Sequence, residues 1–124
     1  MKTAILILSD PKSGSEEANG RLFNALAVAR DLQTRKQDVT LIFQGAGVRW
    51  PAQLAQSDHP FHELFASVRQ SVAGASKACA VVFGAIEGVE ACGTNLLDDN
   101  QVPGTPGLPG IAALIAQGYT LLVF

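Results

Sequence analysis

Charged residues are scarce in this chain of 124 residues, since only 16% are Asp, Glu, Lys or Arg and the formal net charge is −2. The nine Lys and Arg residues are scattered along the chain and form no basic run. Proteins that bind nucleic acid or an anionic membrane surface usually concentrate basic residues on one face. The composition therefore predicts neither nucleic acid nor a membrane surface as a partner.

Long apolar runs are also absent. The first apolar run, Ala4–Leu8, is too short for a signal peptide and is followed at once by Asp10 and Pro11. No window reaches the ~18 apolar residues of a membrane-spanning helix. Cysteine is rare, with two residues and no secretory signal, which favours a reducing compartment. We therefore expect a cytoplasmic protein that does not cross a membrane.

Hydrophobic residues, in contrast, make up 48% of the chain, and the mean hydropathy is +0.22. The length suits a single domain, residues 1–124, that can bury a core without disulfide or metal support. So apolar a composition leaves surface that a monomer of this size covers poorly. We therefore expect a homo-oligomer.

Strand and helix signals alternate in the first part of the chain. Thr3–Leu8 is a short apolar run typical of a buried strand. Ser15 can cap a helix in which leucines and alanines recur at helical spacing until Arg35 and Lys36 close its last turn. Val39–Phe43 then predicts a second strand, so a strand, helix, strand unit is complete by residue 44.

The middle of the chain is less regular. Val48–Pro60 contains two prolines and lacks a sustained period, which predicts a loop with one helical turn near Ala52–Ala55. Asp58 can cap a second helix, whose apolar stripe runs from Phe61 to Val72 and which ends near residue 74.

For Ala80–Phe83 alone the pattern also fits a strand, but Val82, Ile86 and Val89 recur at intervals of four and three, which favours a helix. The remaining predicted elements are a third strand over Ala75–Cys79, a helix over 80–92, a short fourth strand over Thr94–Leu97, a final helix over Ile111–Gln117 and a fifth strand over Tyr119–Phe124.

Strands that alternate with helices along the whole chain predict an α/β domain, with a mostly parallel five-stranded sheet and helices on both faces. Binding sites in such sheets lie beyond the carboxyl ends of the strands. Each of four segments follows a predicted strand: Ser9–Ser15, Gly45–Asp58, the region of Cys79, and Asp98–Gly110. We therefore expect these segments to share one rim of the sheet.

Cys79 is the strongest candidate for chemistry, because it lies where a predicted strand gives way to a predicted helix. Amides at a helix N-terminus favour the thiolate, which is the nucleophilic form, and we expect support from the amides of Val81 and Val82 and from Lys77. The alternative is a small buried hydrophobic residue, which is a common role of free cysteine. Cys92 lies near the end of the predicted helix, where the dipole disfavours a thiolate.

Arg49 and Trp50 follow the second predicted strand and can hold an anionic or planar ligand at the rim, although a single Trp also commonly fills a subunit contact. Gly45 and Gly47 lack the third glycine of a dinucleotide fingerprint, so no cofactor is predicted.

No metal site is predicted either. His59 and His62 have no third ligand at suitable local spacing, and their position suits helix-surface or capping roles. The Asp98 and Asp99 pair is typical of a solvated turn in a Pro- and Gly-rich loop.

Four segments together resemble the DsrE/DsrF-like family of small sulfur-handling proteins: TAILILSDP, ANGRLFNALAVARDL, VTLIFQGAGVRW and KACAVVFGAIEGVEACG. The resemblance implies a flavodoxin-like domain, assembly into trimers or hexamers, and a cysteine that carries sulfane sulfur as a persulfide. Only Cys79 matches that cysteine. Some relatives have a second cysteine three residues earlier, where this chain has Ser76, so two-cysteine chemistry is not expected there.

The sequence therefore supports two hypotheses. The first is a sulfur-relay or thiol-reactive protein, a sulfur carrier or sulfurtransferase, in which Cys79 exchanges sulfur with donor and acceptor proteins or small thiols. The second is a non-catalytic oligomeric binding or assembly subunit in which Cys79 is inert. Thiol reactivity distinguishes the two hypotheses.

Overall fold

The computed structural model describes residues 1–124. The strands are β1 (Lys2–Ile7), β2 (Asp38–Phe43), β3 (Val72–Ser76), β4 (Leu96–Leu97) and β5 (Tyr119–Val123). The helices are α1 (Glu16–Thr34), α2 (Trp50–Leu54), α3 (His62–Val68), α4 (Lys77–Val82), α5 (Ile86–Ala91) and α6 (Ile111–Ala116). Three short 3₁₀ turns cover Pro11–Ser13, Gly45–Arg49 and Arg69–Ser71. None of the helices combines the length and the apolar character that crossing a membrane requires.

The five strands form one sheet in the order β4-β3-β2-β1-β5, and every neighbouring pair is parallel. Ile5 of β1 pairs with Leu41 of β2 on one side and with Leu122 of β5 on the other. A parallel pair needs a long crossover connection, which the intervening helices supply. The predicted α/β fold is confirmed, and the sheet is entirely parallel.

Helix α1 forms as its sequence predicts. The Ser15 hydroxyl accepts a hydrogen bond from the Ala18 amide at 3.0 Å, and Glu16 and Glu17 occupy the first turn, where carboxylates interact favourably with the helix dipole. Its buried residues are Ala18, Leu22, Ala25, Leu26 and Ala29. This stripe docks the helix on the sheet.

The main hydrophobic core lies on one face of the sheet. A cluster of 17 buried residues joins alternate residues of β1 and β2, including Ile5 and Phe43, to side chains from α1 to α5. The rings of Phe43 and Phe65 meet edge to face with centroids 6.2 Å apart. Helices α1 to α5 therefore all pack against this face.

Only α6 covers the opposite face, which we call the α6 face. Its strand residues include Leu6, Ile42 and Leu97, and Leu114 of α6 lies beside Ile42 and Leu97 in a shallow groove. None of the residues of α6 is buried. Helices thus lie on both faces, as predicted. On the α6 face the strand residues Leu6 and Ile42 are buried, whereas α6 itself is exposed.

The predicted third strand over Ala75–Cys79 is wrong by three residues, because β3 covers Val72–Ser76. Helix α3 ends at Val68, and the 3₁₀ turn that follows brings Val72 into register with Leu41 of β2. Val72 is therefore a strand residue, and Cys79 belongs to the next helix.

The predicted cap of the second helix is also wrong. Phe61 occupies the N-cap position of α3 without a side-chain hydrogen bond, and Asp58 lies in the preceding turn. The predicted helical turn near Ala52–Ala55 is present as α2, which begins two residues earlier at Trp50.

The predicted helix over 80–92 is two helices, α4 and α5, separated by Phe83–Ala85. Gly84 adopts a positive φ of 66°, and its amide donates to the Val81 carbonyl while the Ala85 amide donates to the Ala80 carbonyl. This is the hydrogen-bond pattern of a Schellman motif, which ends a helix at a glycine. Gly84 therefore ends α4, which is why one predicted helix is two helices in the structure.

Candidate functional site

The loops at the carboxyl ends of the strands meet at one rim, as expected. Arg49 Nη1 after β2 lies 3.0 Å from Asp10 Oδ1 after β1, and the Ala78 amide after β3 donates to the Gly107 carbonyl after β4 at 2.9 Å. The Arg49 Nε–H also donates to the Phe83 carbonyl at 3.3 Å, which connects the β2 loop to the end of α4.

Cys79 is the third residue of α4, the helix that begins directly after β3. Ser76, which is fully buried, occupies the N-cap position, and its hydroxyl accepts a hydrogen bond from the Cys79 amide at 3.3 Å. The Cys79 side chain is half-buried and packs against the edge of the main core. The expected strand-to-helix junction therefore exists, and it holds Cys79 in the first helical turn.

The amides around Cys79 are not arranged as expected. Val81 and Val82 lie in the second turn of α4, where amides bond carbonyls four residues back. In the first turn, the Ala78 amide is bonded to Gly107 and the Cys79 amide is bonded to Ser76. The expectation that the amides of Val81 and Val82 hold the thiolate is therefore wrong.

Lys77 lies beside Cys79 in sequence but forms an ion pair with Asp98 at the carboxyl end of β4. Its Nζ is 3.5 Å from Asp98 Oδ2, and both side chains are substantially exposed. Exposed pairs of this kind exchange partners easily because solvent screens their attraction. In this arrangement Lys77 links the ends of β3 and β4.

Trp50 is a core residue with an exposed fraction of only 1%. Its indole N–H donates to the Ser9 carbonyl at 2.8 Å, so the ring is buried and its polar atom is bonded. Trp50 thereby connects α2 to the loop after β1 through a hydrogen bond beneath the rim.

The second thiol, Cys92, closes α5 just before β4, near the amino ends of the strands, whereas Cys79 lies beyond the carboxyl end of β3. Its Sγ donates to the Val89 carbonyl at 3.3 Å and lies 3.2 Å from Thr94 Oγ1. Both cysteines are free thiols, and they lie at opposite ends of the strands.

The two histidines make local hydrogen bonds. His59 Nδ1 accepts from the Phe61 amide at 3.0 Å, and His62 Nδ1 lies 2.8 Å from the Leu54 carbonyl oxygen. No three His, Cys, Asp or Glu side chains are grouped so that they could hold a metal ion.

The rim also contains a cleft of about 230 Å³. Of the residues that line it, the sequence predicted only Arg49 to contact a ligand. Its walls are Lys12, Val48, Arg49, Ala52, Gln53, Phe83, Gly84, Ala85 and Gly88. Gly84 is the sequence signal that could have revealed this cleft. It ends α4, and the turn that follows, Phe83–Ala85, forms one wall of the cleft. Cys79 lines none of the clefts of the molecule.

The fold is that of a small α/β domain with an all-parallel sheet, and Cys79 lies in the first helical turn beyond β3. A sequence model of the DsrE/DsrF-like family matches residues 1–124, and the chain belongs to this family. Membership implies a role related to sulfur relay.

The fold is shared with a solved structure. A conserved protein of unknown function from Bacteroides thetaiotaomicron is similar, with a TM-score of 0.63 and 20% sequence identity, over 99% of this chain and 94% of that one. None of the curated proteins compared with the chain matches it.

Proposed function

We propose that this protein carries sulfane sulfur as a persulfide on Cys79 and passes it from a donor to an acceptor thiol in the cytoplasm. The position of Cys79 is the observation that carries the proposal: a half-buried thiol in the first turn of α4, at the rim of a DsrE/DsrF-like domain. Sulfur transfer needs a thiol that a donor can reach, and a half-buried residue at the rim meets this requirement.

The chemistry needs no oxidant or cofactor. The Cys79 thiolate attacks the outer sulfur of a donor persulfide, a new S–S bond forms, and the donor leaves as its thiolate. An acceptor thiolate then attacks the outer sulfur on Cys79, takes it as a new persulfide, and releases the Cys79 thiolate. Each step exchanges one S–S bond for another, so there is no net oxidation.

The rest of the site suits a one-cysteine carrier. The position three residues before Cys79 is Ser76, which caps α4, and Cys92 lies near the amino end of β4, whereas Cys79 follows the carboxyl end of β3. No second thiol of the same chain can therefore resolve the persulfide into a disulfide. Its sulfur leaves only to an external acceptor, which is either a partner protein or a small thiol.

The test is to treat the reduced protein with sodium tetrasulfide, remove the reagent, and measure intact mass. Wild type and Cys92→Ser should each gain one sulfur atom that dithiothreitol removes, and Cys79→Ser should gain none. Peptide mapping should place the added sulfur on residue 79.

Two results would overturn the proposal. One is an equal gain of sulfur by Cys79→Ser and wild type. The other is no gain by folded wild type when the urea-unfolded chain gains sulfur normally, because the fold would then shield the thiol instead of presenting it.

The alternative, an assembly or binding subunit with an inert cysteine, is favoured by a different observation. Cys79 lines no cleft, and Lys77 forms an ion pair with Asp98. In that case iodoacetamide should alkylate Cys79 no faster in the Cys92→Ser protein than it alkylates a free small thiol at the same pH. Faster alkylation together with the sulfur gain supports the carrier.

We also propose that the protein is a homo-oligomer in which a second copy covers the α6 face. Residues 100–124 contain no Asp, Glu, Lys, Arg or His, and they form both α6 and the edge strand β5. Ile115 of α6 and Val123 of β5 are 56% and 65% exposed. The charged side chains beside this surface, Lys2 at Gln117 and Asp99 at Gly110, lie at the two ends of α6. The apolar middle of the face can therefore meet a second copy without burying a charge.

A further inference from the structure

The rim cleft of about 230 Å³ contains a fixed guanidinium with unused donors. Arg49 donates its Nε–H to the Phe83 carbonyl and one Nη1–H to Asp10, and its guanidinium lies 5.2 Å from the centroid of the Phe83 ring. A guanidinium has five N–H groups, so three remain without a protein partner. A guanidinium held in this way is well suited to bind an oxyanion.

The charge at the cleft is positive. Asp10 balances Arg49, but Lys12 also lines the cleft and forms no ion pair. Glu87, the nearest acidic residue in α5, lines a separate groove on the other side of Gly84. One positive charge therefore remains in excess, on an exposed side chain that can reach a ligand.

The other wall of the cleft is apolar, and apart from Phe83 its side chains are small. Ala52 and Phe83 supply hydrophobic surface, and Gly84 leaves the space beside it open. Gly88 allows α5 to pack closely against Ala52 of α2. A Cβ at Gly84 would contact nothing within 4 Å. The cleft thus joins a cationic end to a small apolar wall, and its volume lies below the ~300–1,000 Å³ of sites for drug-sized ligands.

We infer that this cleft binds a small organic oxyanion, a carboxylate or a phosphate monoester with a short apolar body. Its oxyanion takes the free N–H groups of Arg49 and the ammonium of Lys12, and its apolar body lies against Phe83 and Ala52. The inference does not depend on the reactivity of Cys79, which does not line the cleft.

Isothermal titration calorimetry with phenyl phosphate, benzoate, benzyl alcohol and inorganic phosphate tests this inference. At least one aromatic anion should bind more tightly than both benzyl alcohol and inorganic phosphate, and the better of the two identifies the head group. Amide NMR shifts in the bound state should concentrate at Gly84, Gly88 and their neighbours.

Three variants make the test specific. Lys12→Gln should weaken binding by up to about fivefold, as expected for an exposed ion pair, and Arg49→Gln by about tenfold or more, as expected for hydrogen bonds to a charged group. Arg30→Gln makes the same charge change on the exposed surface of α1, near the amino end of β2 and away from the rim, and should leave binding unchanged.

Three outcomes would overturn the inference: no binding of either aromatic anion at millimolar concentration, equal binding of benzyl alcohol, or equal weakening by Lys12→Gln and Arg30→Gln. Because Lys12 is exposed and makes no side-chain contact that supports the fold, its variant remains informative even if Arg49→Gln fails to fold.

Discussion

The guanidinium of Arg49 and the carboxylate of Asp10 join the loops that leave β2 and β1, with Nη1 and Oδ1 3.0 Å apart. The two side chains are 21% and 34% exposed, so solvent screens their attraction only in part. The two residues are 39 positions apart in sequence, and their ion pair connects two loops of the rim. The shape of the cleft depends on it.

Replacing Asp10 with Asn should lower the free energy of unfolding by about 0.5 to 1 kcal/mol at neutral pH, because the pair is partly exposed. Urea denaturation of wild type and Asp10→Asn measures this difference. The control is Asp31→Asn, which removes an exposed partner of Arg35 within α1. It should lower the free energy of unfolding by less than Asp10→Asn does.

The stabilisation from Asp10 should disappear in acid. Although burial alone would raise its pKa, the hydrogen bond from the Lys12 amide and the guanidinium of Arg49 hold the pKa of Asp10 below its ordinary value of 3.8. A lowered folded pKa gives stability that is complete above the unfolded value and is lost as the pH falls through the folded value. The difference between wild type and Asp10→Asn should therefore shrink below about pH 4, and a constant difference down to pH 2 would contradict this assignment.

Removing the cap of α4 should lower the free energy of unfolding by about 1 kcal/mol, which is typical of an N-cap serine. Ser76→Ala leaves the Cys79 amide without its acceptor and should also change the rate of Cys79 alkylation, since the first turn of α4 loosens. Ser15→Ala removes the equivalent cap of α1 at a similar cost and should leave the alkylation rate unchanged. Equal alkylation rates in both variants would show that the cap does not position the thiol.

Two glycines should respond in opposite ways to alanine. A Cβ at Gly47 would overlap the Ile7 carbonyl oxygen, which belongs to the backbone of a central strand and cannot move freely. Gly47→Ala should therefore cost about 3 kcal/mol or more, or prevent folding. Gly20 lies in α1 with open space around it, so Gly20→Ala should stabilise the protein by up to about 1 kcal/mol. Thermal unfolding of the two variants measures both effects.

The oligomer proposal predicts that a charge on the α6 face dissociates the assembly. Ile115→Glu should reduce the mass measured by light scattering after size-exclusion chromatography, because two copies would bury the new charge. Val82→Glu is the matched variant on α4, where Val82 is 76% exposed. Dissociation by Val82→Glu alone would place the interface on α4, and a monomeric wild type would contradict the proposal.

Local sequence patterns correctly predicted the elements that depend mainly on their own residues. Helix α1 has a cap, acidic first-turn residues and a periodic apolar stripe, so its limits followed directly from the sequence. The boundary between α3 and β3 did not, because apolar residues such as Val72 suit both a helix face and a strand, and only the pairing with Leu41 decides between them.

The sequence by itself determined the alternation of strands and helices, the parallel sheet and a junction of strand and helix near Cys79, because these depend on short-range periodicity and on turn chemistry. The tertiary structure decided which partners the rim residues take. Arg49 meets Asp10, Lys77 meets Asp98 and Trp50 is buried against Ser9 because residues distant in sequence are brought together by the order of the strands, which no local pattern encodes.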